Sequence, residues 1–290
     1  IRRMTAASKE KLIQENRIRL DTATLDLEAL EAEHQAAEKD WIARYGKLPA
    51  DLTVAPTFKD WCVQNRHTVF LVYCEVDGSA YIGTAFCARP DGILVTNAHI
   101  ANHINVAAGN YRVIQNETQK EFKILKTLIH PEYQPSAHPS GMTIDIALLR
   151  LDLPTGARLT AVQLADDDAL REMTPGDPLG CFSFPGALFD QYDISSERDG
   201  EDARVSATFS EGRGSRITTI DGAVGSFETR SLIQHSAILS GGTSGAPMFL
   251  SGGEVVAVTY ATLSSPDSAS GIGWAIRADY ARRLINQWKD

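Results

Sequence analysis

Apolar positions along this chain keep two rhythms, and the change between them falls near residue 66. From residue 8 to about residue 45, proline and glycine are absent and Ala, Leu, Glu, Lys and Arg dominate, which predicts a long helix. Ile13, Leu20, Leu27, His34 and Trp41 recur at one heptad position, and Asn16, Ala23, Leu30, Ala37 and Arg44 at the other. That seam, broken by Asn16, His34 and Arg44, suits an irregular coiled coil and suits equally a helix packed on its own domain. Gly46, Pro49 and Pro56 end the pattern, so residues 46–66 read as a connector.

Beyond Arg66, short β-branched and aromatic runs alternate with turn residues. Strands are predicted over 67–76, 81–88, 93–96, 111–115, 120–129 and 144–151, with turns at Asp77-Gly78-Ser79 and Asp91-Gly92. A second set is predicted over 177–184, 203–208, 214–220, 231–238, 246–249, 254–262 and 273–276, and 279–288 reads as a closing helix with Asp279 as its N-cap. Many short strands separated by turn signals predict an all-β barrel or sandwich, here in two units of comparable size.

The 290 residues suffice for two units with a large buried core. Lys and Arg number 28 against 37 Asp and Glu, and the net charge of −9 argues against phosphate-backbone binding, so no nucleic-acid partner is expected. No run approaches the roughly 18 apolar residues of a membrane span. The chain opens at Ile1, with its first methionine at Met4 and no signal-peptide pattern, so an upstream piece is expected. Cys62, Cys74, Cys87 and Cys181 lack metal-type pair spacing and are too few for a disulfide scaffold, which predicts mostly buried free thiols.

Candidate chemistry centres on Gly241-Gly242-Thr243-Ser244-Gly245-Ala246-Pro247, a tight turn between two strand-like runs. Such a turn pushes a serine hydroxyl outward and can aim the Gly242 and Ser244 N–H groups at one spot, as a developing oxyanion requires. Alone, the motif is weak, since Gly-Ser-Gly runs are more often plain turns. It gains meaning from Thr96-Asn97-Ala98-His99 after an apolar strand and from Asp145-Ile146-Ala147-Leu148-Leu149 opening another. A serine hydroxyl needs a base to take its proton, and the base needs a carboxylate to orient it and stabilise its charged form. Ser244, His99 and Asp145 are the candidates. His103, four residues after His99, leaves open a metal pair on one helical face, although no carboxylate or cysteine cluster completes it. His130 reads as a loop residue and His235 as a structural one.

These motifs, with Gly83-Thr84-Ala85-Phe86, His130-Pro131-Glu132-Tyr133, Gly176-Asp177-Pro178-Leu179 and Gly271-Ile272-Gly273-Trp274-Ala275-Ile276, occur in the order found in trypsin-like serine proteases of the chymotrypsin superfamily. The resemblance is greatest to the bacterial HtrA/Deg branch and covers residues 67–290. It implies two six-stranded antiparallel β-barrels, about 67–152 and 172–278, with the C-terminal helix over 279–288. A triad in the cleft between them would hydrolyse peptide bonds through an acyl-enzyme, with no metal and no organic cofactor. Substrates would be proteins or peptides, and the helix over 1–45 would serve an oligomer, a stalk or a partner protein. The implied setting is a bacterial envelope, periplasm or cytoplasm. The competing reading is a latent or inactive member of the fold acting as a binding scaffold.

The chain also departs from the family pattern. Thr243 stands where digestive members carry an aspartate that pairs with a newly cut N-terminus, so activation by such a cut is not expected. Ile100 stands where Cys87 would need a disulfide partner. No PDZ domain follows within the chain. The segment 185–230 is longer than the family minimum, and its polar stretch 195–202 reads as a mobile surface loop and a candidate gate. In this family the acyl-side pocket is walled by the segment before the oxyanion turn and the strand after the nucleophile. Here those supply Leu239 and Ser240, then Thr259, Tyr260 and Ala261, with no carboxylate among them. A small or medium apolar side chain on the acyl side of the cut is the expectation.

Overall fold

The computed structural model describes residues 57–107, 109–118, 120–135, 143–186, 205–220, 222–223, 225–262 and 272–288, together with 32, 36 and 39, which are helical. The chain divides into two compact units, residues 1–54 and 55–290. Apart from those three positions, the helix predicted over 1–45 lies outside the described residues, as do 187–204 of the predicted surface loop.

In the second unit the first sheet is built from β1 (Val69–Val76), β2 (Ser79–Arg89), β3 (Ile93–Thr96), β4 (Tyr111–Gln115), β5 (Glu121–Phe122), β6 (Ile124–Ile129) and β7 (Ala147–Leu151). Its order is β5-β4-β1-β2-β3-β7-β6, with antiparallel neighbours throughout. The β1–β2 hairpin turns at Asp77 and Gly78, whose φ of 50° and 74° are the left-handed pair that a tight hairpin turn requires. The sequence predicts one strand over 120–129, and six strands in all. The structure breaks that strand at Lys123, whose carbonyl accepts from the Asp152 N–H at 2.8 Å instead of joining the ladder. The two edges of the seven-stranded sheet are therefore consecutive in the chain, and the sheet curls until one kinked strand forms both ends.

The second sheet is a closed barrel, β10-β13-β12-β11-β8-β9. Its strands are β8 (Pro178–Ser183), β9 (Thr208–Thr218), β10 (Leu232–His235), β11 (Pro247–Leu250), β12 (Val255–Thr262) and β13 (Gly273–Arg277). Where the sequence predicts two strands over 203–208 and 214–220, β9 is one continuous strand, because its pairing to β8 runs unbroken from Ser183↔Thr208 to Pro178↔Arg213. Leu179, Cys181, Ile233, Ala246, Met248, Ala257 and Ala275 pack together as one of its core clusters.

Among the described residues four helices complete the unit: α1 (Phe58–Asn65), α2 (Ala98–Val106), α3 (Asp167–Glu172) and α4 (Ala278–Gln287). α1 falls inside the predicted connector. It is short, but Thr57 and Asp60 form a reciprocal capping box, and Trp61 is buried, its ring stacked on Phe249 at 3.5 Å. Asp279, expected as the N-cap of the last helix, lies inside α4, where Arg277 is the cap residue. Its buried carboxylate instead accepts from the Arg277 guanidinium at 3.0 and 2.9 Å. A fork of charge-assisted bonds holds a buried carboxylate better than a cap would.

Candidate active site

His99 is the second residue of α2, and the first turn of any helix leaves backbone N–H groups without intrahelical partners. Asp145, fully buried just ahead of β7, meets that need: its Oδ1 accepts the His99 backbone N–H at 2.9 Å. Its other oxygen, Oδ2, lies 2.5 Å from His99 Nδ1. One carboxylate thus caps the helix and fixes the imidazole ring, which explains how a charge can sit in a core made of Ile144, Ile146 and Leu148. Asn97, the cap residue of α2, makes no side-chain cap bond, and its amide N–H donates to the Asp145 carbonyl at 2.7 Å. Two residues at the β3–α2 junction therefore hold Asp145, Asn97 through its carbonyl and His99 through its carboxylate. Nearby, burial and then the Asp145 charge push the Tyr260 hydroxyl up to about 12, and the same two causes raise that of Tyr133.

The serine turn is fastened to both sheets. Thr84 of β2 donates its N–H to the Ser244 carbonyl at 2.8 Å and its hydroxyl to the Gly242 carbonyl at 2.9 Å. From the other side, the Gly245 N–H donates to the Thr259 carbonyl of β12 at 3.0 Å. Gly242 and Gly245 have φ of +90° and +84°, and a Cβ on Gly245 would fall 2.2 Å from the Thr84 carbonyl and 3.0 Å from the Asn97 nitrogen. That close approach seats the turn against the β3–α2 junction that carries His99. The Gly241 carbonyl accepts from the Gly186 N–H at 2.5 Å, so the trans peptide points the Gly242 N–H away from Gly186.

The residues expected around the acyl-side pocket divide into two groups. Leu239 and Ser240 are half-buried, and Ile238 beside them is 78% exposed. Thr259, expected on the wall, is instead enclosed: its hydroxyl donates to the Thr243 carbonyl and accepts from the Ala246 N–H, so it braces the serine turn. Tyr260 is 3% exposed and belongs to the core. Ala261 continues β12, with its side chain outside the described residues. Among the other histidines, His103 stacks on Tyr81 with centroids 3.9 Å apart. His130 accepts the Glu132 N–H and meets Tyr280 edge-on. His235 is fully buried.

Sequence reasoning gave no role to Thr84 or Asn97, and gave Thr259 the wrong surroundings. A threonine in a strand reads only as a β-former. Its hydrogen bond to a turn 158 residues away leaves no periodic trace.

A family model for the trypsin-like peptidase domain matches residues 83–258. The magnetosome formation protease MamE of Paramagnetospirillum magneticum is 27% identical over 204 residues, covering 70% of this chain and 23% of that protein. A probable periplasmic serine endoprotease, DegP-like, of Rickettsia conorii is 27% identical over 215 residues, covering 73% of this chain and 34% of the relative. The chain spans well under half the length of either relative. Among solved structures, the HtrA-type protease AlgW with tripeptide shares the fold at a TM-score of 0.56 and 20% identity, over 80% of this chain and 63% of that one. With the match running from the strand that meets the serine turn to the strand that braces it, the chain belongs to the trypsin-like peptidase family.

Proposed function

We propose that this domain is a serine endopeptidase with Ser244 as nucleophile, His99 as general base and then acid, and Asp145 as the group that orients it. The observation that carries the proposal is the double grip of Asp145 on His99, through the backbone N–H and through Nδ1. A carboxylate on Nδ1 commits the opposite nitrogen, Nε2, to take a proton, which is the tautomer a serine nucleophile needs.

In the proposed reaction the Ser244 hydroxyl oxygen attacks the substrate carbonyl carbon while His99 Nε2 takes the hydroxyl proton. The imidazolium so formed is stabilised by Asp145 and then protonates the departing amine. Water next attacks the acyl-enzyme, giving its proton to His99, and the acid product leaves as Ser244 regains its hydrogen. The Gly242 and Ser244 N–H groups stabilise the tetrahedral oxyanion, each contributing about 3 kcal/mol. The acyl-side residue is a small or medium apolar side chain, in keeping with the half-buried Leu239 and Ser240 and the exposed Ile238 beside them. Substrates are proteins or peptides.

The test is labelling with a fluorophosphonate probe together with casein cleavage, comparing the chain with Ser244→Ala. Loss of a triad member lowers turnover on the order of a millionfold. Labelling and cleavage that both require Ser244 support the proposal. A folded chain that neither labels nor cleaves overturns it in favour of a scaffold.

A further inference from the structure

Where it leaves the serine turn, β2 keeps an open edge. β3 pairs with it only at Phe86, Cys87 and Arg89, and among the described residues no other strand lies on that side of residues 79–85. The Thr84 N–H points out of this edge, since it donates to the Ser244 carbonyl at 2.8 Å and not to β1. Backbone groups along a strand point to alternate sides, so the N–H and carbonyl of Ile82 leave by the same edge, about 7 Å from those of Thr84. The faces of β2 alternate as well. Tyr81 and Gly83 turn toward α2: a Cβ on Gly83 would fall 2.7 Å from Ile100 Cδ1, and the Tyr81 ring stacks on His103 with centroids 3.9 Å and planes 18° apart. His103 lies four residues after His99, on the same side of α2 and one turn along it. Tyr81 is 37% exposed and His103 half-buried, so the stacked pair presents an aromatic surface to solvent at the end of the open edge. A ring fixed in this way offers a large contact area that needs little ordering when something covers it.

We infer that Tyr81, held by His103, is a specificity-determining residue for the leaving side of the substrate, selecting an aromatic side chain at the third residue after the cut. A substrate that departs from the serine along this edge runs from Thr84 back toward Ser79, antiparallel to β2. With Thr84 taken by the serine turn, the first residue after the cut comes opposite Gly83 and the second opposite Ile82. The second exchanges N–H and carbonyl with Ile82, as an extended peptide does on a sheet edge. Residues directly opposite share a face and neighbours alternate, so its side chain falls on the Ile82 face, away from α2. Those of the first and third fall on the face of Gly83 and Tyr81. Gly83 offers the first no side chain. The third comes opposite Tyr81 at the roughly 5 Å Cβ separation of a cross-strand pair, a position where two aromatic rings pack well. This deepens the endopeptidase reading above and rests on it.

The experiment measures kcat/KM on internally quenched peptides that differ only in the third residue after the cut, Phe, Leu, Asp or Ala, and on a second set varied at the second residue, with the cut located by mass spectrometry. It uses the full chain, Tyr81→Ala, Tyr81→Thr and Tyr81→Phe, with fluorophosphonate labelling of each to count competent sites. The expected result is Phe over Ala by about tenfold at the third residue in the unmodified chain, the size of an aromatic pair, and little preference at the second. Tyr81→Phe should retain that preference and Tyr81→Ala lose it. Should Tyr81→Ala fail to fold, Tyr81→Thr, which keeps a strand former at the position, decides the matter. No preference for Phe at the third residue, a preference confined to the second, or an unchanged preference in labelled Tyr81→Ala or Tyr81→Thr would overturn the inference while leaving the endopeptidase intact. No Ser244-dependent labelling or cleavage of any peptide would instead remove the endopeptidase reading, and this one with it.

Discussion

Removing the Trp61 side chain tests whether α1 belongs to the protease unit. The ring is 2% exposed, stacked on Phe249 with planes 11° apart, and edge-on to Phe182 at 6.3 Å. Its indole N–H donates to the Gly253 carbonyl at 2.7 Å. Trp→Ala in such a site costs about 3–5 kcal/mol through lost burial and the cavity left behind. The unmet carbonyl adds about 1 kcal/mol. A loss of about 4–6 kcal/mol in a unit of this size lowers the melting temperature by about 8–24 °C. Val63, on the same helix but 56% exposed, is the control, and Val63→Ala should change stability by no more than about 0.5 kcal/mol. Urea unfolding followed by circular dichroism measures both, read as midpoint shifts at constant slope. Trp61→Phe, which keeps the stacking and loses the hydrogen bond, should fall between. A Trp61→Ala loss below about 1 kcal/mol would refute the reasoning and return residues 58–65 to a connector.

The buried His235, held down to about 4 against an ordinary 6.5, is neutral in the fold and takes a proton on unfolding below pH 6.5. Its contribution is fully present above pH 6.5 and is lost as pH falls toward 4, so unfolding free energy should drop by about 3 kcal/mol across that window. A folded His235→Leu chain should lack that slope, and an identical slope would exclude the histidine as its source. Gly245→Ala forces a Cβ against the Thr84 carbonyl, so casein cleavage should fall by at least about a hundredfold while fluorescence and circular dichroism stay native. Thr84→Val leaves the Gly242 carbonyl and the Phe184 N–H without their hydroxyl, and kcat should fall about tenfold or more with KM little changed. Burial pushes Cys74, Cys87 and Cys181 up to about 12 and Cys62 to about 11. Native protein at pH 8 should therefore react with a thiol reagent far more slowly than urea-unfolded protein, and fast labelling of Cys74, Cys87 or Cys181 would contradict their burial.

Much of the β architecture was legible because strand patterning and Asp-Gly turns act over a few residues. Asp77-Gly78 turned where expected, and β3 ended at Thr96, one residue before the cap of the helix that carries His99. Features set by distant partners were not legible. Lys123 breaks a strand because of a bond to Asp152, β9 is one strand because β8 pairs along it, and α1 persists because Phe249 waits for Trp61. At the site, residue types and order pointed to His99, Asp145 and Ser244. Whether a threonine lines a pocket or braces a turn depends on which side of β12 is open, and both fates give the same local pattern. Thr259 was placed on the wall for that reason.

The turn that carries Ser244 hangs from one sheet through Thr84 and from the other through Thr259. It works as a rivet between two plates. In the proposed mechanism, a slide of the plates by an ångström takes the Ser244 hydroxyl out of line with His99 long before either sheet comes apart, and a misplacement of that size lowers rates about a hundredfold. Turnover is then a finer gauge of how the two sheets are aligned than any melting temperature. Substitutions along the seam between them should register first as slow enzyme in a fully folded chain.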